Sequence, residues 1–310
     1  NRYFWTDLTV VIKRSNIMKK VLSISVGSPT RDHTTEVDFL GQKIQLSRQG
    51  TNGDLKKAIE LYKHFDGKVD AFGVGGLEFY LGVGERKYYF RDAKKIRRAI
   101  KISKVGDGNG IKGLLAQRAL LALEDHLNNE GKSLNGMKAL KTTAVDRYQM
   151  AAALVDAGLE TTFGDFAFSL GIPLKIKSLK QVHVLAGILL PVIINLPYMW
   201  FYPLGAQQEK EPENKFPSFY ADADVIAGDF LQIRHHMPPD MSGKIVVTNT
   251  TTAANVEFMQ KRGVKILVTT TPRLEGRSFG TNVMEGMLRC MIDKPDNEIT
   301  SEDFLDLINR

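Results

Sequence analysis

Between Lys244 and Asn282 the chain runs twice through the same succession of apolar, polar and amphipathic stretches. Lys244-Ile245-Val246-Val247 is a short β-branched run that ends in Thr248-Asn249-Thr250-Thr251-Thr252, and residues 253–262 then read as a helix that stops at Gly263. Lys265-Ile266-Leu267-Val268 repeats the apolar run, empties into Thr269-Thr270-Thr271-Pro272, passes through residues 273–282 and enters a second helical stretch. An apolar strand that gives way to hydroxyls and amides and then to a helix is the βα unit of a doubly wound parallel sheet, whose strands are buried on both faces. Ligands of such sheets bind beyond the carboxyl ends of the strands, where these polar strings fall.

Earlier in the chain the pattern is more mixed. Residues 20–26 alternate as a strand and lead into the polar loop 27–35, whose amides, hydroxyls, Arg31 and His33 suit either a ligand loop or an ordinary surface loop. Residues 37–46, with Gly41-Gln42 at their centre, predict a β-hairpin; 54–65 predict a helix with one buried face; 69–74 predict a strand closed by Gly75-Gly76. Gly73-Val74-Gly75-Gly76 is not read as a phosphate loop, because no amphipathic helix follows and 79–90 look like a second hairpin. Residues 92–104 form a basic helical stretch with no interleaved aromatics, which points to a solvated face rather than a nucleic-acid site.

After a glycine-rich break at 105–110 comes a long Leu/Ala helix at 111–127, and polar residues 128–136 mark the domain boundary. Residues 139–144, 146–157 and 160–163 then read strand, helix, strand, a βαβ unit. The expected fold is therefore α/β in two domains. A mixed N-terminal α/β domain with its linking helix spans 18–135, and a Rossmann-like doubly wound sheet spans 136–310, with an apolar helical insertion near 180–202.

Composition narrows the class. A chain of 310 residues, 43% hydrophobic and 25% charged, has the make-up of a soluble globular protein and the length for two domains. Its lone cysteine, Cys290, excludes an internal disulfide, points to a reducing, cytoplasmic setting, and lies in an apolar helical run that reads as structural. The charge of +7 favours an anionic ligand or surface. Met18-Lys19-Lys20-Val21 looks like a natural start, so residues 1–17 are expected to be an extension, without the pattern of a secretory signal; the helical pattern at Arg310 leaves room for a further tail.

The candidate chemistry sits in loops. An acidic residue at the end of the second strand of a βαβ unit is placed for an adenosine ribose, which singles out Asp165; the same position also suits a turn cap. The first turn, Thr142 to Tyr148, has no Gly-x-Gly-x-x-Gly, so a dinucleotide is either held through Thr142, Thr143 and Arg147 or not bound there. Residues 232–239 form the most loaded loop, with Arg234 to bind an anion and His235 or His236 to move a proton. Adjacent histidines with no further cluster do not make a metal site, and none is expected. Residues 182–202 carry no Asp, Glu, Lys or Arg; a buried or dimer-forming helix is the preferred reading, and membrane contact the alternative.

In its layout the chain resembles the shikimate/quinate dehydrogenase family over nearly its whole length. Asp107-Gly108-Asn109-Gly110-Ile111 resembles that family's Asn-Thr-Asp-Gly segment before the linking helix, and Val247-Thr248-Asn249-Thr250-Thr251 resembles its Asn-Ala-Thr segment near the nicotinamide. The resemblance implies an NAD- or NADP-dependent dehydrogenase acting on a small anionic hydroxylated acid such as quinate. It also implies Asn249, Thr250 and Thr251 beside the nicotinamide, and Asp107 as an alternative to the histidines in proton transfer. Arg234, Arg273 and Arg277 are the candidates for the substrate carboxylate. The alternative is an enzyme of another reaction class that takes a phosphorylated or nucleotide ligand on Arg273 to Ser278 at a helix start.

Overall fold

The structure, a computed structural model, describes residues 17–196, 213–271, 273–274, 277–278 and 280–310, with the side chains of 273–274 and 277–278 outside the description. Two five-stranded sheets organise them. The first half contributes β1 (Lys19–Ser25), β2 (His33–Phe39), β3 (Gln42–Gly50), α1 (Leu55–Phe65), β4 (Ala71–Gly75), the hairpin β5 (Tyr80–Val83) and β6 (Arg86–Tyr89), α2 (Arg91–Ala99), β7 (Lys104–Gly106) and α3 (Asn109–Asn129). The first sheet has the order β2-β3-β1-β4-β7, antiparallel between β2 and β3 and parallel from there on. The carboxyl ends of β1, β3, β4 and β7 therefore open to one side, at Ser25, Gly50, Gly75 and Gly106.

Next come β8 (Lys138–Lys141), α4 (Tyr148–Asp156), β9 (Glu160–Phe163), α5 (Asp165–Leu170), α6 (Leu179–Ile193), α7 (Pro217–Ala221), β10 (Val225–Ala227), α8 (Phe230–His236), β11 (Ile245–Thr248), α9 (Ala253–Lys261) and β12 (Ile266–Thr269). These strands form a wholly parallel sheet in the order β12-β11-β10-β8-β9. The first strand, β8, lies between β9 and β10, so the winding reverses there and leaves a crevice beyond the ends of β8 and β10. Both faces are covered. Leu120 and Leu123 of α3 with Met150 and Leu154 of α4 fill one side, and Phe168, Phe219, Tyr220, Phe230 and Ile233 fill the other.

The chain closes with the two-residue strands β13 (Arg273–Leu274) and β14 (Arg277–Ser278), α10 (Thr281–Met291) and α11 (Ser301–Asn309), which starts on a Thr300/Asp303 capping box. Residues expected to complete the second sheet instead cover the first. Val283, Met284, Met287 and Leu288 of α10 pack with Val21, Ile44, Leu46 and Ala71, together with Phe304 and Leu307 of α11. The approach is close enough that a Cβ on Gly286 would lie 2.9 Å from Val21 and one on Gly73 would lie 2.9 Å from Asn282. The two sheets thus do not divide the sequence at one point. Helix α3 joins them as well, with Ile111 and Leu115 in the first core and Ala116 to Leu127 in the second.

Two further expectations are corrected. The basic helix ends at Ala99 rather than Lys104, and Lys104 to Gly106, expected as the helix end and the start of the glycine-rich break, is an edge strand. Residues 230–236 are helical rather than a loop, because Asp229 caps the Leu231 amide at 2.9 Å. Residues 197–202 of the apolar stretch lie outside the described residues, and among the described residues no helix is long and apolar enough to cross a membrane.

Candidate active site

The carboxyl ends of the two sheets line one cleft, with a volume of about 650 Å³. One wall carries Ser23, Ser25, Gly75 and Gly76 from the ends of β1 and β4, with Arg31 and His33 from the 27–35 loop, which is thus placed on the cleft. The other carries Asp146 and Arg147 after β8, Asp229 to Gln232 after β10, and Asn249 to Thr252 after β11. The start of α10 closes one end, where Asn282 donates to Ser23 Oγ at 2.7 Å.

Glu78, three residues after β4, and Lys112, in the first turn of α3, make a buried ion pair on the first wall, with side chains 13% and 6% exposed. Lys112 Nζ donates to Glu78 Oε1, while Oε2 is buried with no hydrogen-bond partner. Burial pushes the Glu78 carboxyl up to about 7; Lys112 opposes the rise, and the nearby Asp146 adds to it. Asp107 lies beside them but is fully engaged. It accepts from Phe79 N at 2.7 Å, Asn109 N at 3.0 Å and Asn109 Nδ2 at 2.8 Å, and so holds the β7–α3 turn.

That turn is further clamped by Glu285 of α10, buried and paired with Arg289 Nη2 at 2.7 Å, which accepts from the amides of Gly108 at 2.7 Å and Gly110 at 3.2 Å. Gly108 has φ of +96° and lies against Thr281, so the turn needs glycine on both counts.

At the switch point of the second sheet Arg147 Nη2 meets Asp229 Oδ2 at 3.1 Å, and its Nε lies 3.6 Å from Asp146 Oδ2. Asn249 ties the β10 and β11 loops together. Its Nδ2 donates to Asp229 Oδ2 at 2.9 Å, and its Oδ1 accepts from Phe230 N and Thr248 Oγ1, both at 3.1 Å.

The candidates from the sequence are thus sorted. Asn249, Thr250, Thr251, Arg234, His235, His236 and Asp107 all line the cleft. Thr142 and Thr143 do not. They are buried behind the wall, where Thr143 Oγ1 lies 2.6 Å and Thr142 Oγ1 3.4 Å from Gln232 Oε1. Asp165 is also withdrawn, since its two oxygens accept from Ala144 N and Val145 N at 3.0 Å each, the turn-capping role rather than the ribose one. Behind them the fully buried Lys141 donates to the Thr143 carbonyl at 2.6 Å, its pKa brought down to about 8 by burial.

His235 and His236 occupy the last turn of α8. His236 is buried 4.9 Å from the Phe168 ring, with Nδ1 unpartnered, and burial, followed by the neighbouring His235, brings its pKa down to about 4. It is therefore neutral near pH 7. His235 is half-buried, 3.8 Å from Glu213. The Arg234 guanidinium lies 4.8 Å from the Phe258 ring centre. The side chains of Arg273 and Arg277 lie outside the described residues, and among the described residues no group of three or more His, Cys, Asp or Glu is arranged for a metal.

Glu78 and Lys112 were not singled out from the sequence. The available signal was a lysine on the buried stripe of an apolar helix, in step with Ala116, Ala119 and Leu123.

Fold and cleft together define an α/β protein with a doubly wound parallel sheet open at its switch point onto a second, mixed sheet. The chain belongs to the family described as Domain of unknown function (DUF8754), which matches residues 110–310; a second description, Domain of unknown function (DUF8753), matches residues 20–107. No curated protein matches the sequence. Among solved structures, the chain is similar to a glutamate dehydrogenase, at 14% identity and a TM-score of 0.42, over 95% of this chain and 72% of that one. It is also similar to the NAD-dependent malic enzyme of Thermotoga maritima, at 11% identity and a TM-score of 0.32, over 81% and 65% of the two chains.

Proposed function

We propose that the chain is an oxidoreductase that uses NAD or NADP to interconvert the alcohol and ketone forms of a small hydroxylated acid, such as quinate or shikimate. The observation that carries this reading is the meeting, across one cleft, of the sheet switch point and the buried Glu78–Lys112 pair. Switch points of parallel sheets receive nucleotides, and a carboxyl held near 7 is tuned for proton transfer at neutral pH.

The fit of a dinucleotide differs between the two candidate helix starts. The β8–α4 turn has no glycine cradle, and Arg147 is already flanked by Asp146 and Asp229. At the start of α9, Thr250, Thr251 and Asn255 line the cleft with the helix N-terminus behind them, an arrangement that suits a diphosphate. Nicotinamide, when bound, supplies hydride acceptance. The chain's own work is to hold the carbinol and move its proton. Ionised Glu78 takes the hydroxyl proton as the carbon–oxygen double bond forms, Lys112 steadies the carboxylate, and Arg234 offers counter-charge to the substrate carboxylate, with His235 beside it as a hydrogen-bonding group.

The test is a thermal shift with NAD, NADH, NADP and NADPH, followed by turnover with quinate and shikimate read from nicotinamide absorbance. A ligand that binds the native state raises its melting temperature. A rise with one cofactor, and turnover lost in Glu78→Gln, is the expected result; no shift with any of the four at millimolar concentration overturns the reading.

A further inference from the structure

Helix α6 is buried on one side only. Val182, Ala186 and Leu190 are 0–2% exposed and pack into the cores of the hairpin region and of α4. On the other side Val184, Ile188 and Val192, spaced by four, are 54%, 66% and 64% exposed, with Leu189 beside them. Residues at that spacing form one stripe. The segment leading into the helix adds exposed Ile172 and Leu174. An exposed apolar stripe of this kind marks an interaction site.

Its surroundings are positively charged. From Gly171 to Leu196 the sequence holds Lys175, Lys177 and Lys180 and no acidic residue. Lys175 pairs with Asp222, whereas Lys177 and Lys180 are exposed at the start of the helix. The β5–β6 hairpin lies alongside. A Cβ on Gly187 would be 3.8 Å from the Arg86 guanidinium and 4.0 Å from the Tyr88 hydroxyl, and one on Gly84 would be 3.1 Å from His183. Arg86 and Lys87 are exposed on that edge, with Glu85 at the turn. Basic α2 starts next to the other end of the helix, where Arg91 N donates to the Ile194 carbonyl at 3.1 Å.

We propose that this face of α6 docks on an anionic lipid surface. A helix of 15 residues is too short to span a bilayer but has the length to lie in the headgroup plane, its apolar stripe below and its lysines among the phosphates. The charge around the stripe selects the occupant. A second copy of the chain would bring the same cations against each other, whereas an anionic headgroup layer neutralises them. This docking is independent of the chemistry in the cleft.

The test is sedimentation of the full chain with vesicles of phosphatidylcholine containing phosphatidylserine, and with vesicles of phosphatidylcholine alone. Binding is expected only to the anionic vesicles, with release at high salt. Ile188→Glu, at an exposed position, is expected to leave the melting temperature unchanged and to weaken binding by tenfold or more. Lys177→Glu and Lys180→Glu are each expected to weaken it about fivefold. The proposal is overturned if the wild-type chain stays in the supernatant, or if Ile188→Glu binds as well as the wild type. It is equally overturned if the wild type is a dimer that Ile188→Glu converts to a monomer while neither binds lipid.

Discussion

Lys112 holds one oxygen of Glu78 and leaves the other buried at the wall of the cleft without a partner. A carboxyl in that position is poised between two states, because burial favours the neutral form and the ammonium favours the ionised one. Its folded pKa of about 7 lies above the ordinary glutamate value of 4.5, so the native state keeps a proton that the unfolded chain has released. The contribution to stability is full below the unfolded pKa and lost as pH rises to about 7, amounting to about 3 kcal/mol over that window. Urea unfolding of wild type and Glu78→Gln at pH 5 and pH 8 should show this slope as the difference between the two proteins, since the other titrating groups are common to both. In the same window kcat/KM should rise with pH through about 7.

Removing only the lysine is expected to be more harmful than removing the pair. Lys112→Met leaves Glu78 buried without its counter-ion and should cost about 3 kcal/mol, whereas Glu78→Leu combined with Lys112→Met should recover most of it. Denaturation midpoints of the two single variants and the double variant measure the difference; a loss in the double variant equal to the sum of the two single losses would show that the pair is not coupled.

His236 gives the opposite pH dependence. Its folded pKa of about 4 lies below the ordinary histidine value of 6.5, so the unfolded chain binds the extra proton. Its stabilising contribution is present above pH 6.5 and drains away as pH falls towards 4, by about 3 kcal/mol in all. His236→Phe, which keeps an aromatic ring against Phe168, should lose less stability than the wild type between pH 7 and pH 4.5, as read by chemical denaturation.

Close backbone packing behind the switch point gives a prediction independent of charge. A Cβ on Gly228 would lie 2.1 Å from Thr142 Oγ1, so Gly228→Ala should cost about 2 kcal/mol by overpacking. Thr142→Ala in the same chain should restore most of the loss. A double-variant cycle of melting temperatures checks it, and additive losses would place the strain elsewhere.

Much of the second sheet was legible because β-branched runs bounded by threonines have few other uses. Ile245–Thr248 and Ile266–Thr269 are strands, and Asn249 to Thr252 do face the cleft. Strand β7 was not legible, since its three residues straddle the end of a basic helical pattern and a glycine-rich break and carry no period of their own. The amphipathic pattern of α10 was visible, but such a pattern says only that one face is buried, not which sheet buries it. Asp165 shows a further limit, for a carboxylate at a strand end can serve a ligand or its own turn, and only the positions of the Ala144 and Val145 amides decide. Glu78 and Lys112 stand 34 positions apart and meet only because the fold brings the segment after β4 to the first turn of α3.

The return of α10 to the first sheet sets an order of assembly. Lys19, at the start of β1, donates to the carbonyl of Cys290, 271 positions further on. During synthesis, the flank of β1 and β4 that Val283, Met284, Met287 and Leu288 cover is bare until those residues have left the ribosome. The parallel sheet in the middle of the sequence has all its strands earlier. The sheet begun first is therefore the one completed last, and a nascent chain halted before residue 281 presents an unfinished apolar face.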